Sequence, residues 1–111
     1  MKFIQAAENN KREILRFLSD IVKSGDVVLE LGSGSGQHIA FFAENIMDAV
    51  WQPSEIVDSI DPLQERLLAV PLANLRAPWV IDISFPPPRD ELFDFVYSSN
   101  VLQCISILLI P

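Results

Sequence analysis

The chain has 111 residues, 50% of them hydrophobic, enough for one domain with a modest core and too apolar for a disordered segment. Its formal net charge is −7, from 15 acidic and 8 basic residues with no basic run, which argues against a nucleic-acid backbone as partner. Cys104 is the only cysteine and His38 the only histidine, which excludes an internal disulfide and a Cys/His zinc site.

Met1-Lys2-Phe3-Ile4-Gln5 runs into charged residues rather than an apolar signal region. No apolar run approaches membrane-spanning length, so no membrane partner is expected and the cytoplasm is the default compartment. Residues 6–23 read as an amphipathic helix, with Ile14, Leu18, Ile21 and Val22 on one face and Lys11, Arg12, Arg16 and Lys23 elsewhere. Asn9 and Asn10 are candidate caps that would start it later. Ser24-Gly25-Asp26 stops it.

Val27, Val28, Leu29 and Leu31 form the near-continuous apolar run of a parallel strand covered on both faces. Gly32-Ser33-Gly34-Ser35-Gly36 follows, and from His38 the pattern turns helical, with Ile39, Phe42, Ala43 and Ile46 on one face. Glycine tolerates positive φ and lets a ligand approach bare backbone, and the helix start offers free N–H groups. The spacing G-x-G-x-G differs from the dinucleotide pattern G-x-G-x-x-G, whose third glycine position is held here by Gln37. Glu30, two residues before the first glycine, would repel a pyrophosphate and favour a ligand carrying an ammonium and a sulfonium. Without a ligand, the same stretch is a Gly/Ser turn joining a strand to a helix.

Asp48 to Gln52 is a short second strand, and Pro53-Ser54-Glu55 ends it. Glu55 stands 19 residues past Gly36, where an acidic residue in a βαβ nucleoside site accepts hydrogen bonds from ribose hydroxyls. Asp58 and Asp61 are competitors for that role, and a solvated loop carboxylate is the alternative. Asp61-Pro62-Leu63-Gln64 reads as a helix start with Asp61 as cap, and Leu63, Leu67 and Val70 carry its apolar face. Asn74 to Pro78 is a turn and Trp79 to Ile83 a third strand, with Asp82 at its end. Phe85-Pro86-Pro87-Pro88 is stiff and extended. Leu92 to Ser98 is a fourth strand, with Ser99 and Asn100 at its C-terminal end, the ligand edge of a parallel sheet. The remaining residues are strongly apolar.

Glu30 to Gly36 resembles motif I of the class I S-adenosylmethionine-dependent methyltransferases, and Phe93-Asp94-Phe95-Val96 with the small polar residues after it resembles their motif IV. Ala6 to Lys11, Leu29 to His38, Trp51 to Glu55, Asn74 to Pro78, Asp82 and Phe93 to Asn100 together resemble the methyltransferase-like 26 family, over most of residues 6–103. The resemblance implies an α/β, Rossmann-like fold of which residues 1–111 are a single, incomplete N-terminal half, with parallel strands in the order 3-2-1-4 and flanking helices. It implies S-adenosylmethionine as cofactor. Gly32, Ser33, Gly34 and Gly36 would admit it, Glu30 would answer its ammonium, Glu55 its ribose and Asp82 its adenine. Asn100 would hold its methionine part or the substrate. No side chain is a convincing catalytic base, and no metal is expected.

The chain departs from that pattern in three places. Members usually carry Asp where Glu55 stands, which keeps the carboxylate and lengthens its reach. They usually have Asn-Met-x-His where this chain has Asn100-Val101-Leu102-Gln103, which removes an imidazole. The largest departure is length: the family's sheet is expected to have strands beyond the fourth that this chain does not supply, so the fourth strand is expected to be an exposed edge, a surface for a protein partner or for self-association. Three readings follow: a methyltransferase acting on a small molecule or protein, a non-catalytic cofactor-binding or interaction module, and, least favoured, an NAD-binding half-domain.

Overall fold

The computed structural model describes residues 2–81, 93–99 and 105–109. Helix α1 (Lys2–Ile21) leads to strand β1 (Val27–Leu31), the glycine loop and helix α2 (Gln37–Asn45). Strands β2 (Val50–Gln52) and β3 (Ser54–Glu55) follow, then a 3-10 turn (Val57–Ser59) that runs into helix α3 (Ile60–Leu68). Strands β4 (Trp79–Val80), β5 (Phe95–Ser99) and β6 (Ile105–Leu109) come last.

The main sheet has the order β2-β1-β5-β6, with β1 parallel to both β2 and β5. β3 pairs in parallel with β4 in a separate two-stranded ladder. Pro53 explains the separation, because it has no N–H to give to a ladder. The chain nevertheless continues past it as a strand. Trp51 N–H donates to the Asn74 carbonyl at 2.8 Å, Arg76 N–H to Trp51 at 2.9 Å and Trp79 N–H to Pro53 at 3.0 Å. The expected order 3-2-1-4 is therefore present, with the second strand in two pieces, and the fold is α/β with a parallel core.

Four expectations need correction. The fourth strand is not an edge: β6 pairs antiparallel along β5, Phe95 opposite Leu109 through Ser99 opposite Ile105. Ile105–Leu109 thus supply hydrogen-bonding partners for the backbone of β5. The second strand stops at Gln52 as expected, but Ser54 and Glu55 are not a mere terminator: they form β3. Asp61 does not cap α3, which starts at Ile60 after an uncapped Ser59, so Asp61 lies in the first turn, where it favours the helix dipole. Asn9 and Asn10 lie within α1, whose stability comes from its buried apolar face rather than from its propensities.

The three helices of the described residues cover one face of the sheet. Ile14 and Leu18 of α1 with Val22 just past its end, Ile39, Phe42 and Ala43 of α2 with Ile46 just past its end, and Leu63 and Leu67 of α3 meet Val28, Trp51 and Tyr97 from the strands. Phe42 is the hub, its ring 5.8 Å from that of Trp51 and 6.0 Å from that of Tyr97. Leu29, Phe93 and Val96 form a smaller cluster on the opposite face, with Trp79 edge-on to Phe93 at 5.5 Å. Alternation along β1 puts Val28 and Glu30 on the helix-covered face and Leu29 on the other.

Two side chains fix the ends of these elements. Asp94 accepts from the Val27 N–H at 2.8 Å and so anchors the start of β1 beside β5. Asn74 donates from Nδ2 to the carbonyls of Ala43, Ile46 and Ala49 at 2.9, 3.2 and 3.1 Å. It thereby ties the carbonyl of Ala43, in the last turn of α2, to those of Ile46 and Ala49 in the segment that leads to β2. Among the described residues, no helix is long and apolar enough to cross a membrane.

Candidate functional site

The C-terminal ends of β1 and β3 meet at the glycine loop. Gly32, Gly34 and Gly36 have φ of 68°, 59° and 79°, a left-handed conformation that other residues adopt at a cost. Their surroundings divide them. A Cβ added at Gly32 or Gly34 would have no atom within 4 Å, so open space faces the loop there. A Cβ at Gly36 would sit 2.8 Å from Leu67 Cδ2 and 2.9 Å from Leu63 Cδ1. Gly36 therefore lets α3 pack against the start of α2, and of the three glycines only Gly32 and Gly34 border open space.

Serines brace the loop against β3. Ser33 N–H donates to the Ser54 carbonyl at 2.8 Å, and Ser54 N–H donates to Ser33 Oγ at 3.1 Å. The Ser54 hydroxyl donates to the backbone carbonyl of Glu30. Ser33 and Ser54 are both buried. Ser33 is thus a strut of the site, and Ser54, which sequence reasoning passed over, is its counterpart.

Glu55 follows directly. Its Oε2 accepts from the Gly34 N–H at 2.9 Å and its Oε1 from the Ile56 N–H at 2.8 Å. Each oxygen keeps further acceptor capacity, and the residue is only half-buried. Of the three acidic candidates, Glu55 is the one bonded to the glycine loop. Asp58, in the 3-10 turn, and Asp61, in α3, are exposed. Ile56, Val57 and Val80 leave an exposed apolar surface beside Glu55, whose backbone pairs with Val80.

Glu30 is the unusual group. It is fully buried, and neither carboxylate oxygen has a hydrogen-bond partner. Burial pushes its carboxyl up from 4.5 to about 7, with Ser33 and Tyr97 opposing the rise and the charge of Glu55 adding to it. The Ser33 and Tyr97 hydroxyls are near enough to act on it, although neither makes a bond of good geometry. Tyr97 stands directly opposite Glu30 across the β1–β5 pair, is buried, and also lacks a partner for its hydroxyl. Burial, with Glu30 beside it, pushes the Tyr97 phenol well above its ordinary range.

The Trp51-Gln52-Pro53-Ser54 stretch serves this geometry without facing the open space. Trp51 is buried, and its indole N–H donates to the Ile46 carbonyl at 3.1 Å. Gln52 Nε2 donates to Pro53 and Ala77 carbonyls at 2.8 and 2.9 Å, while its Oε1 is buried without a donor. His38 lies on α2 with its ring 5.9 Å from that of Phe42. Asp82 and Asn100 lie outside the described residues, as does Gln103. Among the described residues, no three His, Cys, Asp or Glu side chains gather as a metal site.

The arrangement lies at the carboxyl edge of a parallel sheet, the edge at which open α/β sheets place their ligands. Two crystal structures have the same fold. One is coclaurine N-methyltransferase bound to N-methylheliamine and SAH, with a TM-score of 0.63 and 19% identity over 79% of this chain and 26% of that one. The other is a SAM-dependent methyltransferase from Aquifex aeolicus, with a TM-score of 0.64 and 17% identity over 79% of this chain and 46% of that one. At these identities the likeness is one of fold, the class I methyltransferase fold. The chain spans about a quarter of the first structure and under half of the second. A family model described as "Protein of unknown function (DUF938)" matches residues 1–109, and the chain belongs to that family.

Proposed function

We propose that this chain binds S-adenosylmethionine and forms the cofactor-binding part of a methyltransferase, related to the methyltransferase-like 26 proteins. The carrying observation is the open space at Gly32 and Gly34, flanked by an unpartnered buried carboxyl at Glu30 and the loop-anchored carboxylate of Glu55. The two matched structures support the cofactor class, since one is bound to SAH and the other is SAM-dependent.

The residues fit that ligand. Gly32 and Gly34 leave room for it against bare backbone. Glu30 supplies the negative partner that an amino-acid ammonium requires in a buried place. Glu55, held by two backbone N–H groups, keeps lone pairs for a ribose diol. Ile56, Val57 and Val80 offer apolar surface next to it for a flat base. When bound, the cofactor supplies a methyl group on a sulfonium, and transfer by in-line attack needs the protein chiefly to align donor and acceptor.

The charge of −7 favours a small molecule or a protein over a nucleic acid as methyl acceptor. The cytoplasm is the proposed compartment. An NAD site is disfavoured by Glu30 and by Gln37 at the third glycine position. The second reading is a non-catalytic cofactor-binding or interaction module. Calorimetric titration with S-adenosylhomocysteine, followed by a methyl-transfer assay, separates them. Micromolar binding that Glu55→Ala weakens about tenfold or more supports the site, because hydrogen bonds to a charged group contribute about 1.5–3 kcal/mol. Binding unaffected by Glu55→Ala contradicts it.

A further inference from the structure

We propose that below neutral pH Glu30 is a protonated, neutral acid in the ligand-free protein, and that seating the ligand's ammonium against it releases that proton, with Tyr97 as the positioning residue that favours the ionised form. This rests on the cofactor reading above and adds to it a proton that the ligand must displace.

The argument starts from geometry. Glu30 has 0% exposure, and both its oxygens lack donors. A carboxylate in that state has lost its hydration and gained only partial help from the Ser33 and Tyr97 hydroxyls, so burial favours the neutral acid. Tyr97, its direct neighbour in the parallel pair, has a hydroxyl that also lacks a partner. Facing residues with complementary hydroxyl and carboxyl groups can satisfy one another once the carboxyl is charged, because the phenol then donates to it.

Among the described residues, the groups acting on Glu30 are Ser33 from the glycine loop, Tyr97 from β5 and Glu55 from β3. The two hydroxyls favour the anion and Glu55 opposes it, so no cation among the described residues compensates the buried charge. A ligand ammonium is the missing cation. On binding, the O–H bond of Glu30 breaks, the proton leaves to solvent, and a carboxylate–ammonium pair remains. Below neutrality the ligand-free protein holds that proton, so binding releases it and affinity rises with pH.

The test uses the whole chain and S-adenosylhomocysteine, whose amino group is still an ammonium over this range. Calorimetry in two buffers of different ionisation heat measures the proton released, and carboxyl-carbon NMR follows Glu30 without ligand. We expect release of about one proton at about pH 6 and about none near pH 8.5, with affinity rising about tenfold between about pH 6 and 8. Glu30→Gln removes both the release and the slope. Tyr97→Phe raises the Glu30 midpoint by about one pH unit, which a merely structural tyrosine would not do.

Binding with no proton release and no slope overturns the proposal and leaves the cofactor reading standing. A ligand-free Glu30 that titrates in the ordinary carboxylate range also overturns it. If S-adenosylhomocysteine fails to bind while Glu30 titrates near neutrality, the cofactor reading falls and the release step falls with it.

Discussion

Glu30 and Glu55 stand at the ends of neighbouring strands, facing one glycine loop, yet their surroundings are opposite. Glu55 is half-buried, and backbone N–H groups hold both its oxygens. Glu30 is fully buried and nothing holds either of its oxygens. One is a side chain anchored by backbone donors, with acceptor capacity left for hydrogen bonds from outside. The other is an acid whose charge the fold does not compensate. Pairs of titratable groups whose environments differ in this way mark sites where a ligand completes the electrostatics. The same loop serves both: Gly34 donates to Glu55, while Ser33, one residue earlier, is tied to Ser54 above Glu30.

The comparison can be broken at its base. Phe42 supports Tyr97 and Trp51 together, and through them the strands that carry both glutamates. Phe42→Ala is expected to cost about 3–5 kcal/mol in urea unfolding, the usual penalty for emptying an aromatic core position, and to abolish ligand binding with it.

The second test isolates Glu30. Its carboxyl is raised in the folded protein, so in the window between 4.5 and about 7 the folded state binds more protons than the unfolded one. Stability from this group is therefore full below about pH 4.5 and is lost as pH rises through about 7, by about 3 kcal/mol. Thermal unfolding across that range should show the loss in the ligand-free protein. Glu30→Gln should flatten it.

A smaller effect separates the glycines. Gly36→Ala forces a methyl against Leu63 and Leu67 at positive φ, and is expected to cost about 1–3 kcal/mol through packing. Gly34→Ala meets no atom and is expected to cost about 1 kcal/mol, from φ alone, while reducing affinity for S-adenosylhomocysteine more than Gly36→Ala does. Equal effects of the two on affinity would contradict the division of the loop into open and packed glycines.

Much of this was readable from residue types and spacing. The apolar run from Val27 to Leu31, the glycine loop and the helix after it announce themselves by period and composition, and Glu55 by its distance from the loop. What could not be read were facts of register and of partners distant in the chain. Nothing local to Tyr97 says that it faces Glu30, because that depends on how β5 slides against β1. Ser54 looks like a strand terminator until its carbonyl and N–H are seen to bond Ser33. Asn74 reads as a turn residue, although its amide closes the end of α2 more than 25 positions earlier. The pairing of β6 with β5 was missed because an apolar tail carries no period that names its partner.

The most direct measurement of the central claim is calorimetric titration of the purified chain with S-adenosylhomocysteine and, in parallel, with NAD. The account requires saturable binding of the first and none of the second. NAD binding alone, or a folded chain that binds neither, would contradict it.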